Sequence, residues 1–130
     1  MAGMSDFLEV ALLNSTLNGA AFSAVDNPYI SLHTADPTDT GTGTEVTGGS
    51  YARVASSFAT ASGTSGSVVS DADATFPTST AGWGVVGWIG LWDSLSGGNM
   101  LYHTALDASK TIDSGVIFKI SSGNLTVTLS

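Results

Sequence analysis

Gly84-Val85-Val86-Gly87-Trp88-Ile89-Gly90-Leu91-Trp92 is the most apolar run in the chain. It is followed by Asp93-Ser94-Leu95-Ser96-Gly97-Gly98-Asn99 and then by Met100-Leu101-Tyr102-His103-Thr104-Ala105. The two apolar runs predict strands, and the segment with Gly97-Gly98 predicts the hairpin connection that pairs the second back on the first. The glycines Gly84, Gly87 and Gly90 predict bulges or places where another backbone comes close. The apolar run is too short and too rich in glycine to span a bilayer. Apart from the first 20 residues, no 3.6-residue period competes with this β reading.

Working outward, the same punctuation repeats. Toward the N-terminus, Thr75-Phe76-Pro77 ends an extended piece, Ser67 to Ser70 is a short strand and Gly63 to Gly66 a turn. Tyr51 to Ala59 is a strand with Val54 and Phe58 inward. Tyr29 to Thr34 alternates, with Ile30 and Leu32 on one face and Tyr29, Ser31 and His33 on the other. Ala35-Asp36-Pro37-Thr38 breaks the chain, because proline restricts itself and its predecessor. Residues 39–50 hold four glycines and four threonines, which predicts a long loop and a contact surface. Toward the C-terminus, Val116 to Ile120 and Leu125 to Leu129 are expected to form a last hairpin. Val116, Phe118, Ile120, Leu125, Val127 and Leu129 would share its inner face.

The one helix opens the sequence, over about residues 6–18. Ser5 is placed to cap it, Asp6 and Glu9 suit the positive end of the helix dipole, and Gly19 is a stop. One helix followed by seven or eight short antiparallel strands predicts a mainly β single domain over residues 1–130, a β-sandwich of jelly-roll type. No strand–helix alternation supports a parallel α/β sheet.

Composition narrows the function. Eleven acids against three bases (Arg53, Lys110 and Lys119) leave a formal net charge of −8, so neither nucleic acid nor an anionic membrane is an expected partner. Charged residues make up 11% of the chain, well below the roughly 25% usual in soluble domains. Ser, Thr, Gly and Ala take their place, a composition common in β-rich proteins that pack side by side. The absence of cysteine excludes disulfides, thiolate metal sites and thiol nucleophiles. The N-terminus lacks the basic residues of a secretory signal.

The search for chemistry ends without a catalytic, cofactor or metal set. His33 and His103 each lie on a predicted strand, without metal-ligand spacing, and read as surface or interface residues. No Gly-x-Ser-x-Gly elbow is present. Asp71-Ala72-Asp73 lacks the glycine and distal glutamate of a helical calcium loop, and Asp36 and Asp39 flank a turn, where acids bond to local backbone. Trp83, Trp88 and Trp92 suit either a sugar-binding face or burial, and burial is the commoner use. Arg53 lies mid-strand beside Tyr51, amid acids. Asp36 or Glu45 is its expected bidentate partner, in a clamp tying the 39–50 loop to the sheet. Phe7, Leu8, Leu12, Trp88 and Trp92 are the candidate interface residues.

Several stretches together resemble a known family: Met4-Ser5-Asp6-Phe7-Leu8-Glu9, Leu32-His33-Thr34-Ala35-Asp36-Pro37-Thr38, Gly43-Thr44-Glu45-Val46, Gly49-Ser50-Tyr51-Ala52-Arg53, Gly90-Leu91-Trp92-Asp93, Gly97-Gly98-Asn99-Met100-Leu101-Tyr102 and Gly123-Asn124-Leu125-Thr126-Val127. The pattern is similar to small structural proteins of tailed bacteriophages, often labelled tail fibre proteins, and covers nearly the whole chain. The resemblance implies a virion protein without catalytic residues. A long fibre needs repeats or a coiled coil, and this chain has neither. A compact acidic β domain is more similar to capsid cement (decoration) proteins, which implies the major capsid protein and sister copies, as trimers or another homo-oligomer, as partners. The alternative is a tail fibre or tail adaptor that meets tail proteins or host surface glycan. A carbohydrate enzyme using Asp36, Asp71 or Asp93 is the remote third reading.

Overall fold

The structure is a computed structural model that describes residues 3–64 and 66–129. It is mainly β, with antiparallel ladders throughout and a single helix among the described residues. The elements are β1 (Gly3–Met4), α1 (Asp6–Leu17), β2 (Tyr29–His33), β3 (Val54–Ala55), β4 (Ser67–Val69), β5 (Ala74–Thr75), β6 (Gly84–Trp92), β7 (Met100–Ile112), β8 (Lys119–Ile120) and β9 (Thr126–Thr128). Five of them form one sheet in the order β1-β7-β6-β2-β3. The β4-β9 and β5-β8 pairs form two short ladders. Of the turn expected at 63–66, Ser65 lies outside the described residues.

The hairpin of β6 and β7 is the centre of the sheet, as the apolar sequence requires. Gly87 sits where the pairing slips, between Val86 opposite Lys110 and Trp88 opposite Ala105. Gly90 is a point of close approach. A Cβ there would stand 2.8 Å from the Ser31 hydroxyl oxygen and 3.0 Å from the Trp92 ring nitrogen. Strand β7 continues to Ile112, beyond the alternating stretch, because residues 110–112 pair with 84–86 past the slip and Ile112 and Val86 join the buried core.

Alternation puts Ile30 and Leu32 of β2 and Ile89 and Leu91 of β6 on one face. They join Phe76, Trp83, Phe118, Leu125 and Val127 from the short ladders and their flanks in one buried cluster. Aromatic rings knit it together: Phe76 meets Phe118 edge-on at 5.7 Å, and Tyr51 meets Trp83 edge-on at 5.4 Å. The second layer is two ladders, compatible with a jelly roll.

Two expectations change. The last two strands do not pair with each other. Strand β8 pairs with β5, and β9 with β4. Each strand thus takes a long-range partner that turns Phe118 or Val127 into the cluster, whereas a local hairpin would stand away from the sheet. The expected strand 51–59 is ordered as a ladder only at Val54–Ala55, with an isolated bridge from Phe58 to Ser70. At its start the Tyr51 hydroxyl accepts a hydrogen bond from the Leu32 backbone N–H at 3.0 Å, so a side chain replaces a ladder carbonyl.

Helix α1 begins where the sequence places it. The buried Ser5 hydroxyl accepts from the Leu8 N–H and donates to the Met100 carbonyl, so the cap also fastens the helix to β7. Gly19, at φ 70°, lets Ala20 N–H return to the Asn14 carbonyl and ends the helix.

Candidate functional site

The second face of the sheet carries Ser31, His33 and Trp92, and it is buried as well. Residues 44–46 run along the outer edge of β2, with Thr34 N–H donating to the Thr44 carbonyl and Val46 N–H to the Leu32 carbonyl, both at 3.0 Å. This brings Glu45 opposite His33. The loop at 39–50 is thus partly built into the sheet, and Val46 belongs to the core.

Arg53 is the centre of this face. It donates to Glu45 through Nε to Oε2 and Nη2 to Oε1, both at 2.8 Å. Its Nη1 donates to the carbonyls of Ser94 at 3.0 Å and Gly97 at 2.9 Å, in the β6–β7 hairpin loop. The guanidinium carbon lies 3.9 Å from the centroid of the Trp92 ring. One planar cation therefore joins the 44–46 segment, the hairpin loop and the sheet, a geometry that a lysine cannot supply. Tyr51 adds a 2.7 Å hydrogen bond to Glu45 Oε2. Burial pushes the Glu45 carboxyl up, but the hydrogen bonds from Arg53 and Tyr51 and the guanidinium charge outweigh it and hold the group below the ordinary carboxylate range. Burial and the bond to Glu45 push the Tyr51 phenol upward.

A second polar chain runs beside the clamp. The Trp92 ring N–H donates to the Ser31 hydroxyl at 2.7 Å, and that hydroxyl is 2.7 Å from His33 Nε2. His33 Nδ1 faces the Gly43 carbonyl at 3.3 Å. A neutral imidazole with its proton on Nδ1 satisfies the whole sequence of bonds. Burial pushes the His33 imidazole below its ordinary value, against the opposing pull of Glu45. The expectation of a surface or interface histidine fails here: His33 is fully buried, because Trp92 and the 43–45 segment cover a face whose residue types read as outward.

The structure brings together Arg53 and Glu45 and leaves Asp36 elsewhere. Asp36 accepts from Thr38 N–H at 2.8 Å and lies 3.5 Å from His103 Nδ1, while Asp39 meets His103 Nε2 at 2.7 Å. His103 Nδ1 is buried without a hydrogen-bond partner in the structure. This pair of contacts fastens the Asp-Pro turn to β7. Asp93 accepts from Asn99 N–H at 2.7 Å within the hairpin loop, and Asp73 accepts from Ser122 N–H at 2.8 Å. These carboxylates hold turns. Among the described residues no group of three or more His, Cys, Asp or Glu side chains is placed to hold a metal ion.

The tryptophans do not make a platform. The Trp83 ring N–H donates to the Gly49 carbonyl at 2.9 Å, Trp92 lies under Arg53, and Trp88 is half-buried near His103. Of the candidate interface residues, Leu8 and Trp92 are buried within the chain, Leu12 and Trp88 are half-buried, and Phe7 faces outward. Val10, Leu13 and Leu17 face outward as well, the first and last of them residues that widen the apolar stripe of the helix in the sequence. Their spacing was visible, but the helix is apolar nearly all round, so periodicity alone did not say which side meets the sheet.

A family model described as "Podophage GP4 fiber I protein gp80" matches residues 3–128 of the chain. No curated protein matches it.

Proposed function

The chain belongs to the family of podophage GP4 fiber I protein gp80 and is a structural component of a phage virion; from that premise we propose that it serves in the tail fibre apparatus, as one non-enzymatic domain that works by packing against tail proteins and sister copies. The family match over nearly the whole chain carries this reading. Two features of the molecule support it. Its buried ionisable network of Arg53, Glu45, Tyr51 and His33 is consumed in holding loops to the sheet, which leaves a rigid body. Its outward apolar groups concentrate on α1, where a neighbouring polypeptide can cover them.

Gold-labelled antibody on purified virions tests the reading, together with the copy number of the band relative to the major shell protein. Label at the tail and a few dozen copies or fewer are the expected result. Label over the head at shell-like abundance would instead identify a cement protein bound to the major capsid protein, the reading favoured by a compact acidic domain without repeats or a long coiled coil. A polysaccharide-hydrolysis assay tests the absence of catalysis.

A further inference from the structure

Between helix α1 and the chain segment 21–26 runs a groove of about 600 Å³. Phe7 and Ala11 of α1, Phe22 and Val25 of the segment, Tyr29 and Leu101 line it. Leu101 is buried and Phe7 is 43% exposed, so apolar surface leads from the sheet out to solvent. The wall at 21–26 has a free backbone. Ala20 N–H returns to the Asn14 carbonyl, and the Pro28 carbonyl accepts from Ser56, but residues 21–27 between them make no hydrogen bond to any described residue. We propose that this groove takes a basic, apolar segment of a different protein of the tail, which pairs with the backbone of residues 21–26.

Backbone and charge select the occupant. A run of unpaired N–H and C=O groups beside apolar side chains is what an incoming strand uses: main-chain bonds hold it, and alternate side chains fill the groove. Six residues of wall match the common length of a strand, about five or six. Two acids, Asp26 and Asp93, line the groove, and no base does. Both oxygens of Asp93 accept from Asn99, whereas the Asp26 carboxylate has no hydrogen bond or ion pair to any described residue. Asp26 is thus free to meet a cation. Phe7, Phe22 and Tyr29 bring three aromatic rings, and such rings attract a cation at their faces, as Trp92 attracts Arg53.

This chain does not supply such a segment to its own copies. Its net charge is −8, and its three bases are committed elsewhere. Arg53 is consumed in the clamp, and Lys110 and Lys119 stand on β7 and β8, strands already paired in ladders. A segment that alternates apolar and basic residues meets both demands: its apolar side chains fill the groove and its bases answer Asp26. The inference rests on the tail reading of the proposed function for the partner's location. Its test uses the isolated chain and a peptide, so failure here leaves the virion location standing.

Titration of an acetylated, amidated hexapeptide of alternating valine and arginine into the isotope-labelled full chain, followed by backbone amide NMR shifts, provides the test. The peptide should move the signals of Phe7, Leu101 and residues 21–26, and should slow hydrogen exchange within 21–26. Asp26→Asn should weaken binding by up to about five-fold at low salt, and Asp71→Asn, at an exposed acid outside the groove, should leave it unchanged. Phe7→Ser should also weaken it, and thermal melts report whether each variant folds. A peptide with the same side chains but methylated at every backbone nitrogen should not bind, nor should one of alternating valine and glutamate. No shifts into the millimolar range, shifts spread over acids outside the groove, or binding undiminished by Asp26→Asn would overturn the basic occupant. Undiminished binding of the methylated peptide would overturn the backbone pairing. Signals of residues 21–26 that move with protein concentration alone would make a second copy the occupant and overturn the proposal as well.

Discussion

The two faces of the five-stranded sheet are both buried, but by different physics. On one, Ile30, Leu32, Ile89 and Leu91 meet aromatic and aliphatic side chains of the short ladders. On the other, Ser31, His33, Trp92 and Arg53 are joined by directed bonds. The alternate residues of β2 therefore serve opposite regimes. The apolar face gains from contact area, which is forgiving of exact partner. The polar face depends on matched donors and acceptors, since a buried charge left without its partner costs more than the pair contributes. The difference teaches that sensitivity to a single atom, and to pH, is concentrated on the polar side.

Breaking the clamp is the sharpest way to separate the faces. Arg53→Ala should lower unfolding stability by about 3–5 kcal/mol, because it strands Glu45 and frees the Ser94 and Gly97 carbonyls together. In chemical denaturation, the double variant Arg53→Met with Glu45→Gln should be more stable than Arg53→Ala. Equal stability would show that the carboxylate is not the source of the loss. On the apolar face, Ile89→Ala should cost about 2–5 kcal/mol through lost contacts and a cavity, with no change in the pH dependence of the melt.

Gly90 stands between the two regimes. Gly90→Ala would press a methyl group against the Ser31 hydroxyl and the Trp92 ring nitrogen, and should cost about 1–3 kcal/mol in denaturant unfolding. An unchanged midpoint would mean that these bonds are dispensable.

The smallest expected effect is the pH response of the polar face. The unfolded His33 takes up a proton near pH 6.5, before the folded one, whose value burial has lowered. The stability it contributes is complete above that pH and declines as pH falls below it, by at most about 1.4 kcal/mol per unit. The depressed Glu45 carboxyl adds a separate loss at lower pH, beginning near its ordinary value of 4.5. Melting temperatures of His33→Gln and the parent between pH 7 and 5 should converge toward a common slope only below this histidine window. Parallel curves throughout would remove His33 as the source.

Several parts of this architecture were legible beforehand because they follow from neighbours in sequence. Helix α1, its Ser5 cap and its Gly19 stop are local bonds. Strands β2 and β6 announce themselves by alternation and by a long apolar run, and the glycines of β6 mark the slip at Gly87 and the close approach at Gly90. Arg53 was conspicuous as a rare base beside Tyr51. Which acid it met was not, because Asp36 and Glu45 are both within reach along the chain, and only the docking of residues 44–46 on the β2 edge brought Glu45 to it. The far half of β7 carried no apolar alternation, so its pairing with 84–86 gave no signal.

By itself the sequence determined a β-rich chain with an N-terminal helix, an acidic surface poor in bases and a strong central hairpin, since these depend on residue type and short-range period. Tertiary structure alone decided that β8 and β9 take separate long-range partners, that His33 lies inside and that the apolar residues of α1 divide between sheet and solvent. The physical reason is the same in all three: a strand's edge and a side chain's surroundings are set by segments far away in the chain, and a pattern of residue types states what needs covering without stating what covers it.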